Sequence, residues 1–235
     1  MKKFATKSGI VLFGIPGAGK GTYGRLLAKD LGGLKVSPGD LFRDLLRRKE
    51  ESALSRRIES CVNSGKLVDD HTTFELITAC LSENSSAKFL ILDGVPRNLS
   101  QTTLLSQHLN LSRFILLNIE LEESVLMEKL QGRRVCDHCG RNYNICAVHR
   151  DGFDMPALMP LNGSECDDCH SPISQRHDDT EPIIRKRIEL YREESLPVMG
   201  VLEGLGVQRL DFAPKKGLKD YPELRDTLRN KLAAL

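Results

Sequence analysis

Ile10-Val11-Leu12-Phe13-Gly14-Ile15-Pro16-Gly17-Ala18-Gly19-Lys20-Gly21-Thr22 couples a short apolar run to a glycine-rich turn carrying one lysine and one hydroxyl. The run has the length of a strand, and the turn opens a stretch with helical spacing at Leu26, Leu27 and Leu31. Strand, glycine turn and helix form the context that a phosphate-binding loop requires. Gly14, Gly17 and Gly19 let the backbone curl until its N–H groups converge on phosphate oxygens, and the helix N-terminus adds a favourable dipole. Lys20 would bridge the β- and γ-phosphates and Thr22 would offer its hydroxyl to Mg²⁺. The usual pattern has Ser or Thr directly after the lysine; here Gly21 intervenes. A glycine-rich turn without a ligand is the plainer alternative, but Pro, Lys and three Gly at this spacing rarely coincide.

Four further apolar runs follow, at 34–37, 89–92, 114–121 and 207–212. They are nearly continuous rather than alternating, which suits a parallel sheet buried on both faces. Helical stretches separate them, so the class is α/β, with a five-stranded parallel sheet flanked by helices and joined by right-handed crossovers. The third run ends in Asp93, whose carboxylate would stand beside the phosphate loop and near the Mg²⁺ water shell. Another helix is marked by Ile183, Ile184, Ile188 and Tyr191, with Asp178-Asp179-Thr180 as capping residues and Pro182 in the first turn. Arg187 flanks that apolar stripe, whereas Lys186 points away from it.

Composition narrows the function classes. The chain has 235 residues, 34 basic against 32 acidic side chains, and 40% hydrophobic residues, so neither disorder nor a nucleic-acid coat is expected. No stretch approaches the ~18–20 apolar residues of a membrane span. Met1-Lys2-Lys3 resembles a signal n-region, but the following apolar run ends at Gly14, so a cytoplasmic location is expected.

From about 135 to 171 helical periodicity vanishes and Gly, Pro, Asn, Asp and Cys dominate. A loop that long inside a compact domain needs an internal restraint. Cys136-Asp-His-Cys139 and Cys166-Asp-Asp-Cys169 supply one, with the spacing of a tetrahedral Cys₄ structural zinc site. Disulfides, a redox pair or iron are the alternatives. Cys146, His149 and His170 are weaker ligand or neighbour candidates, His138 is expected to face solvent, and Cys61 and Cys80 fit small core positions.

These motifs resemble the adenylate kinase family of nucleoside monophosphate kinases. The matching segments are Gly14 to Thr22, Gly39-Asp40-Leu41-Phe42-Arg43, Gly65-Lys66-Leu67-Val68, Asp93-Gly94-Val95-Pro96-Arg97, Gly132-Arg133-Arg134-Val135, Gln175-Arg176-His177-Asp178-Asp179 and Arg185-Lys186-Arg187. The displaced hydroxyl of Gly-Lys-Gly-Thr is itself the family's form of the loop. The resemblance implies Mg²⁺-dependent transfer from ATP to AMP giving two ADP, on a core at 1–37, 68–134 and 175–235, with an AMP-binding segment at 38–67 and a zinc-held lid at 135–174. It implies a catalytic set of Lys20, Arg97, Arg133, Arg176 and Arg187. ATP would meet Gly17, Ala18, Gly19, Lys20, Gly21, Thr22, Lys129 and Arg133. AMP would meet Pro38, Arg43, Val68, Gly94, Arg97, Gln101, Arg176 and Arg187. Thr22, Asp40 and Asp93 would surround Mg²⁺. Asp178 and Asp179 would serve lid closure, Tyr143 would pack in a lid strand, and a monomer is expected. Nothing promotes Arg134 or Arg185 beyond surface charges.

Four positions depart from the family pattern. Pro38 replaces a hydroxyl that lies against the AMP base, Val95 replaces Phe, Asn98 replaces Thr, and Lys129 stands where Arg stacks on the ATP base. Asn98 points toward uridylate–cytidylate kinases, whereas Gln101 can pair with an adenine edge through one donor and one acceptor. A pyrimidine monophosphate kinase is therefore the main rival reading. A zinc-ribbon nucleic-acid-binding protein and a P-loop GTPase are others; charge balance argues against the first and the absence of an Asn-Lys-x-Asp motif against the second.

Overall fold

The computed structural model describes residue 4, residues 7–48 and residues 52–235. Met1-Lys2-Lys3 lies outside them. Along the first half of the chain run β1 (Ser8–Phe13), α1 (Lys20–Asp30), β2 (Leu34–Val36), α2 (Pro38–Arg47), α3 (Ala53–Ser64), α4 (Asp70–Glu83), β3 (Phe89–Asp93), α5 (Leu99–His108), β4 (Phe114–Ile119) and α6 (Glu123–Gln131). An insertion follows, with β5 (Arg133–Cys136), β6 (Asn142–Asn144), β7 (Val148–Arg150), β8 (Phe153–Met155) and β9 (Ile173–Ser174). The chain then returns through α7 (Glu181–Leu190), a π turn at Tyr191–Ser195, α8 (Val198–Gly204), β10 (Gln208–Phe212) and α9 (Tyr221–Ala233).

All five expected core strands form one parallel sheet in the order β10-β4-β1-β3-β2. Alternation along β1 serves two cores at once. Val11 and Phe13 join Leu90, Leu92 and Leu116 on one face, while Ile10 and Leu12 join Ile91, Ile115 and Leu117 on the other. Burial on both faces accounts for the unbroken apolar runs in the sequence. Helix starts carry capping groups: Ser52, Asp69 and Asn98 accept hydrogen bonds from the N–H groups of Ser55, Thr72 and Gln101. β1 lies between β3 and β4, so the loop after β1 opens at the carboxyl ends of the strands where the chain order reverses, the usual ligand crevice of such sheets.

The long insertion is more structured than its composition suggests. β5 pairs antiparallel with both β6 and β9, closing the insertion at its root. β7 and β8 form a separate hairpin whose Val148, Phe153 and Met155 pack on Val125 of α6, and the Asp154 N–H donates to the Lys215 carbonyl. This hairpin is thus fastened to the main body. Cys61 and Cys80 are half-buried against two core clusters. No described helix is long and apolar enough to cross a membrane.

Two glycines bracket how tightly the sheet is packed. A Cβ on Gly9 in β1 would lie 2.0 Å from the Leu90 carbonyl oxygen, whereas one on Gly200 in α8 would meet nothing within 4 Å. Gly9→Ala is expected to cost about 1–3 kcal/mol or more, since backbone must move. Gly200→Ala should gain up to about 1 kcal/mol from helix propensity. Urea denaturation of both variants checks the contrast.

Candidate active site

The phosphate loop emerges from β1 with Gly14, Gly17 and Gly19 at φ 136, 95 and 97°. These conformations suit glycine alone at low cost. A Cβ on Gly21 would lie 3.1 Å from Asn142 Nδ2 of β6 and 3.8 Å from Asp93 Oδ2. The insertion therefore lies over the loop, and the small residue between Lys20 and Thr22 leaves room for it. Lys20 turns back on its own loop, donating to the Gly14 carbonyl and, at 3.0 Å, to the Ile15 carbonyl. Burial pushes its ammonium down to about 7; Asp93 opposes this, while Arg97, Arg187 and Arg133 reinforce it.

Around Lys20 the fold gathers arginines from separated segments. Arg43 comes from α2, Arg97 from the turn after β3, Arg133 from β5, Arg176 from the strand-to-helix link after β9, and Arg187 from α7; all line one cleft with Lys20. Like charges so close need partners. Arg133 donates to both oxygens of Asp179, whose side chain is 0% exposed. Arg176 grips Asp178 with two bonds at 3.0 and 2.8 Å, and Arg187 adds a third at 2.8 Å. Arg97 rests its Nε on the Gly94 carbonyl at 2.9 Å. Burial alone would raise the Asp178 carboxyl, but Arg176 and Arg187 outweigh it and hold the group well below the carboxylate range. Burial and the neighbouring Arg176 and Arg133 push Arg187 down to about 9. Asp178 and Asp179 are thus arginine partners rather than caps: Thr180 occupies the N-cap of α7 without a side-chain bond.

Asp40 lies in the first turn of α2, behind the Ser37 N-cap, and accepts from both Arg43 and Lys35. Lys35 also pairs with Asp93 at 3.2 Å, so one ammonium joins the two carboxylates. Burial favours protonation of Asp40, but Lys35 and Arg43 keep its carboxyl far below the usual range. Sequence reasoning missed Lys35. Its signal was a charged residue between Leu34 and Val36 of the second run, four positions before the Gly39-Asp40 pair. The oxygens of Asp40, Asp93 and Thr22 are the hard donors that suit Mg²⁺, and all three residues line the cleft.

The remaining expected residues are placed as follows. Gly17, Gly19, Gly21, Pro38, Val68, Gly94, Gln101 and Lys129 line the same cleft. Ala18 does not: it is buried, and its N–H donates to the Ile15 carbonyl. Lys129 donates to the Cys146 carbonyl at 2.8 Å. Arg134 bonds only to nearby carbonyls, and Arg185 pairs with Glu181 on the surface. Asn98 caps α5 and donates to Asp70 at 3.1 Å, so its amide is committed away from any base.

In the insertion, the sulfurs of Cys136, Cys139, Cys166 and Cys169 lie within 4.8 Å of one another, and all four thiols are free. A tetrahedral ion with bonds of about 2.3 Å fits such a set. The Cys139 N–H donates to Cys136 Sγ and the Asp168 N–H to Cys166 Sγ, as metal-bound thiolates favour. Tyr143, 1% exposed, packs among the cysteines, its hydroxyl 3.4 Å from Cys166 Sγ. Cys146 and His149 stand outside the cluster: Cys146 Sγ bonds the Ala147 carbonyl and His149 pairs with Asp154. His138 is exposed, and His170 meets the cluster only through its backbone N–H on the Cys166 carbonyl. Two contacts fasten the cysteine knuckles across the cleft: Arg25 of α1 pairs with Asp168, and Arg47 of α2 donates to the His138 carbonyl.

Comparison with known proteins agrees with this geometry. Residues 12–206 match the profile described as adenylate kinase. A GTP:AMP phosphotransferase of Plasmodium falciparum is 33% identical over 225 residues, covering 94% of this chain and 96% of that protein. An adenylate kinase of Thermotoga neapolitana is 35% identical over 214 residues, covering 89% and 86%. A probable chloroplastic adenylate kinase 1 of Oryza sativa subsp. japonica is 35% identical over 227 residues, covering 93% and 74%. With the profile spanning most of its length and relatives aligned nearly end to end, this chain belongs to the adenylate kinase family.

Proposed function

We propose that the protein is an adenylate kinase, transferring the γ-phosphoryl group of ATP reversibly to AMP to give two ADP. The observation that carries this reading is the convergence of Lys20, Arg43, Arg97, Arg133, Arg176 and Arg187 on one cleft lined by a glycine loop. Phosphoryl transfer asks a protein mainly to align two nucleotides and neutralise their oxygens, and this constellation is suited to that task. In this reading the loop 17–22, Lys129 and Arg133 hold ATP. Pro38, Val68, Gly94 and Gln101 border the AMP base and ribose, with Arg43 and Arg97 on its phosphate. Arg176 and Arg187 stand between the nucleotides and serve the transferred group with Lys20, Arg97 and Arg133. Thr22, Asp40 and Asp93 would hold Mg²⁺ and its water shell, which supplies charge neutralisation at the phosphates.

The segment 38–67 would close on AMP and the insertion at 135–174 would act as the lid that excludes water. The Cys₄ cluster would hold structural zinc. We place the protein in the cytosol as a monomer, acting without nucleic acid or membrane. Guanine as donor base is a second reading. Lys129 lacks a flat guanidinium for stacking on adenine and offers only hydrogen-bond donors, and one relative is named for GTP.

Three outcomes are expected. Purified protein with Mg²⁺ should form ADP rapidly from ATP and AMP, and far more slowly with UMP or GMP as acceptor. A coupled assay over ATP and GTP as donors ranks the two donor readings, and no turnover with any pair would sink the kinase assignment. At pH 8 Lys20 in the free protein is largely neutral, since its value lies near 7. Phosphate oxygens restore its charge, so Mg²⁺-ATP binding should take up a proton and weaken as pH rises above about 7. Calorimetry in buffers of different ionisation enthalpy reads this uptake, which Lys20→Met should abolish. Finally, stripping the metal with a chelator should lower the melting temperature by at least about 5 °C, because structural zinc contributes folding energy. Unchanged melting with metal loss verified by elemental analysis would refute that role.

A further inference from the structure

Gln101 is 2% exposed in the first turn of α5, and both ends of its amide are already engaged. Its Oε1 accepts from the Arg97 backbone N–H at 2.8 Å, and its Nε2 donates to Asp70 Oδ1 at 2.9 Å. Asp70, in the first turn of α4, is held in turn by Asn98 Nδ2 at 3.1 Å, and Asn98 Oδ1 accepts from the Gln101 N–H at 2.8 Å. A backbone N–H can only donate and a carboxylate can only accept. Turning the amide by 180° would therefore set N–H against N–H and oxygen against carboxylate, exchanging two hydrogen bonds for two repulsions. The amide has a single permitted polarity.

An amide offers two N–H groups and two oxygen lone pairs, so one of each remains open at the cleft that Gln101 lines. That pair matches a base edge with an unprotonated ring nitrogen beside an amino group, as in adenine. Hypoxanthine, guanine and uracil present the reverse, a ring N–H beside a carbonyl, and would need the forbidden amide orientation. Cytosine shares adenine's polarity but is smaller. We infer that Asp70, steadied by Asn98, is a positioning residue that locks the Gln101 amide so that the acceptor site takes amino bases and refuses oxo bases. This rests on the reading that Gln101 borders the acceptor base. It also gives Asn98 a part in that choice without any contact to the nucleotide.

The test is the ratio of kcat/KM for AMP to that for IMP, two purine monophosphates that differ only along the edge in question. The ratio is measured for the unmodified protein and for Asp70→Ala, Asp70→Ser, Asp70→Asn and Gln101→Ala, with folding checked by thermal melting. Asp70→Ala should lower the ratio at least threefold, because the Arg97 N–H is then the one remaining group that opposes the turned amide. Asp70→Ser, whose hydroxyl both donates and accepts, should lower it too and serves if the alanine variant folds poorly. Asp70→Asn keeps an acceptor oxygen for Nε2 and should retain most of the ratio. A merely structural role for Asp70 would depress both substrates alike and leave the ratio unmoved. If Gln101→Ala collapses the ratio while Asp70→Ala and Asp70→Ser leave it intact, the lock is overturned and the placement of Gln101 stands. If Gln101→Ala also leaves the ratio intact, the placement fails and the lock with it.

Discussion

Repulsion among cations is the constraint on which the rest of this molecule depends. Lys20, Lys35, Arg43, Arg97, Arg133, Arg176 and Arg187 are drawn into one cleft, and Asp40, Asp93, Asp178 and Asp179 are the carboxylates set among them. Each carboxylate serves a cation from another part of the chain or holds two at once. The cations still outnumber the anions, so the neutralisation is partial and the cleft keeps a positive surplus. Lys20 bears the consequence most directly, since burial and its arginine neighbours favour its neutral form until an anion arrives. The strand ends, the return of the chain through α7 and the root of the insertion can all be understood as the means of bringing those charges together.

Much of this was legible in the sequence, for physical reasons that can be named. The five strands read as apolar runs because burial on both faces leaves no polar position to interrupt them. The phosphate loop read clearly because its function resides in contiguous backbone. What stayed hidden depends on residues that meet only in three dimensions. Asp70 and Gln101 are 31 positions apart, and nothing local to either foretells their bond. Lys35 stands between two apolar residues of β2, and its partners Asp40 of α2 and Asp93 at the end of β3 meet it only in the fold. Asp178 and Asp179 looked like helix caps because a cap is the commonest local use of such residues, whereas Asp178 binds Arg176 and Arg187 and Asp179 binds Arg133 of the distant β5. The β7–β8 hairpin is too short to stand out by periodicity, and it is held by Val125, far from the cysteines that bound the spacer.

One departure from the family pattern acquires an explanation when seen with its neighbours. Asn98, which as an isolated letter suggested a pyrimidine base, is spent on capping α5 and holding Asp70. The residue answers to another protein group, so its meaning cannot be transferred as a letter from a relative.

Arg25 and Arg47 reach the cysteine knuckles from helices on the two sides of the cleft, α1 behind the phosphate loop and α2 beside Pro38. The insertion is therefore seated like a keystone, with one abutment on each helix, so that a displacement of either helix bears directly on the cysteine knuckles.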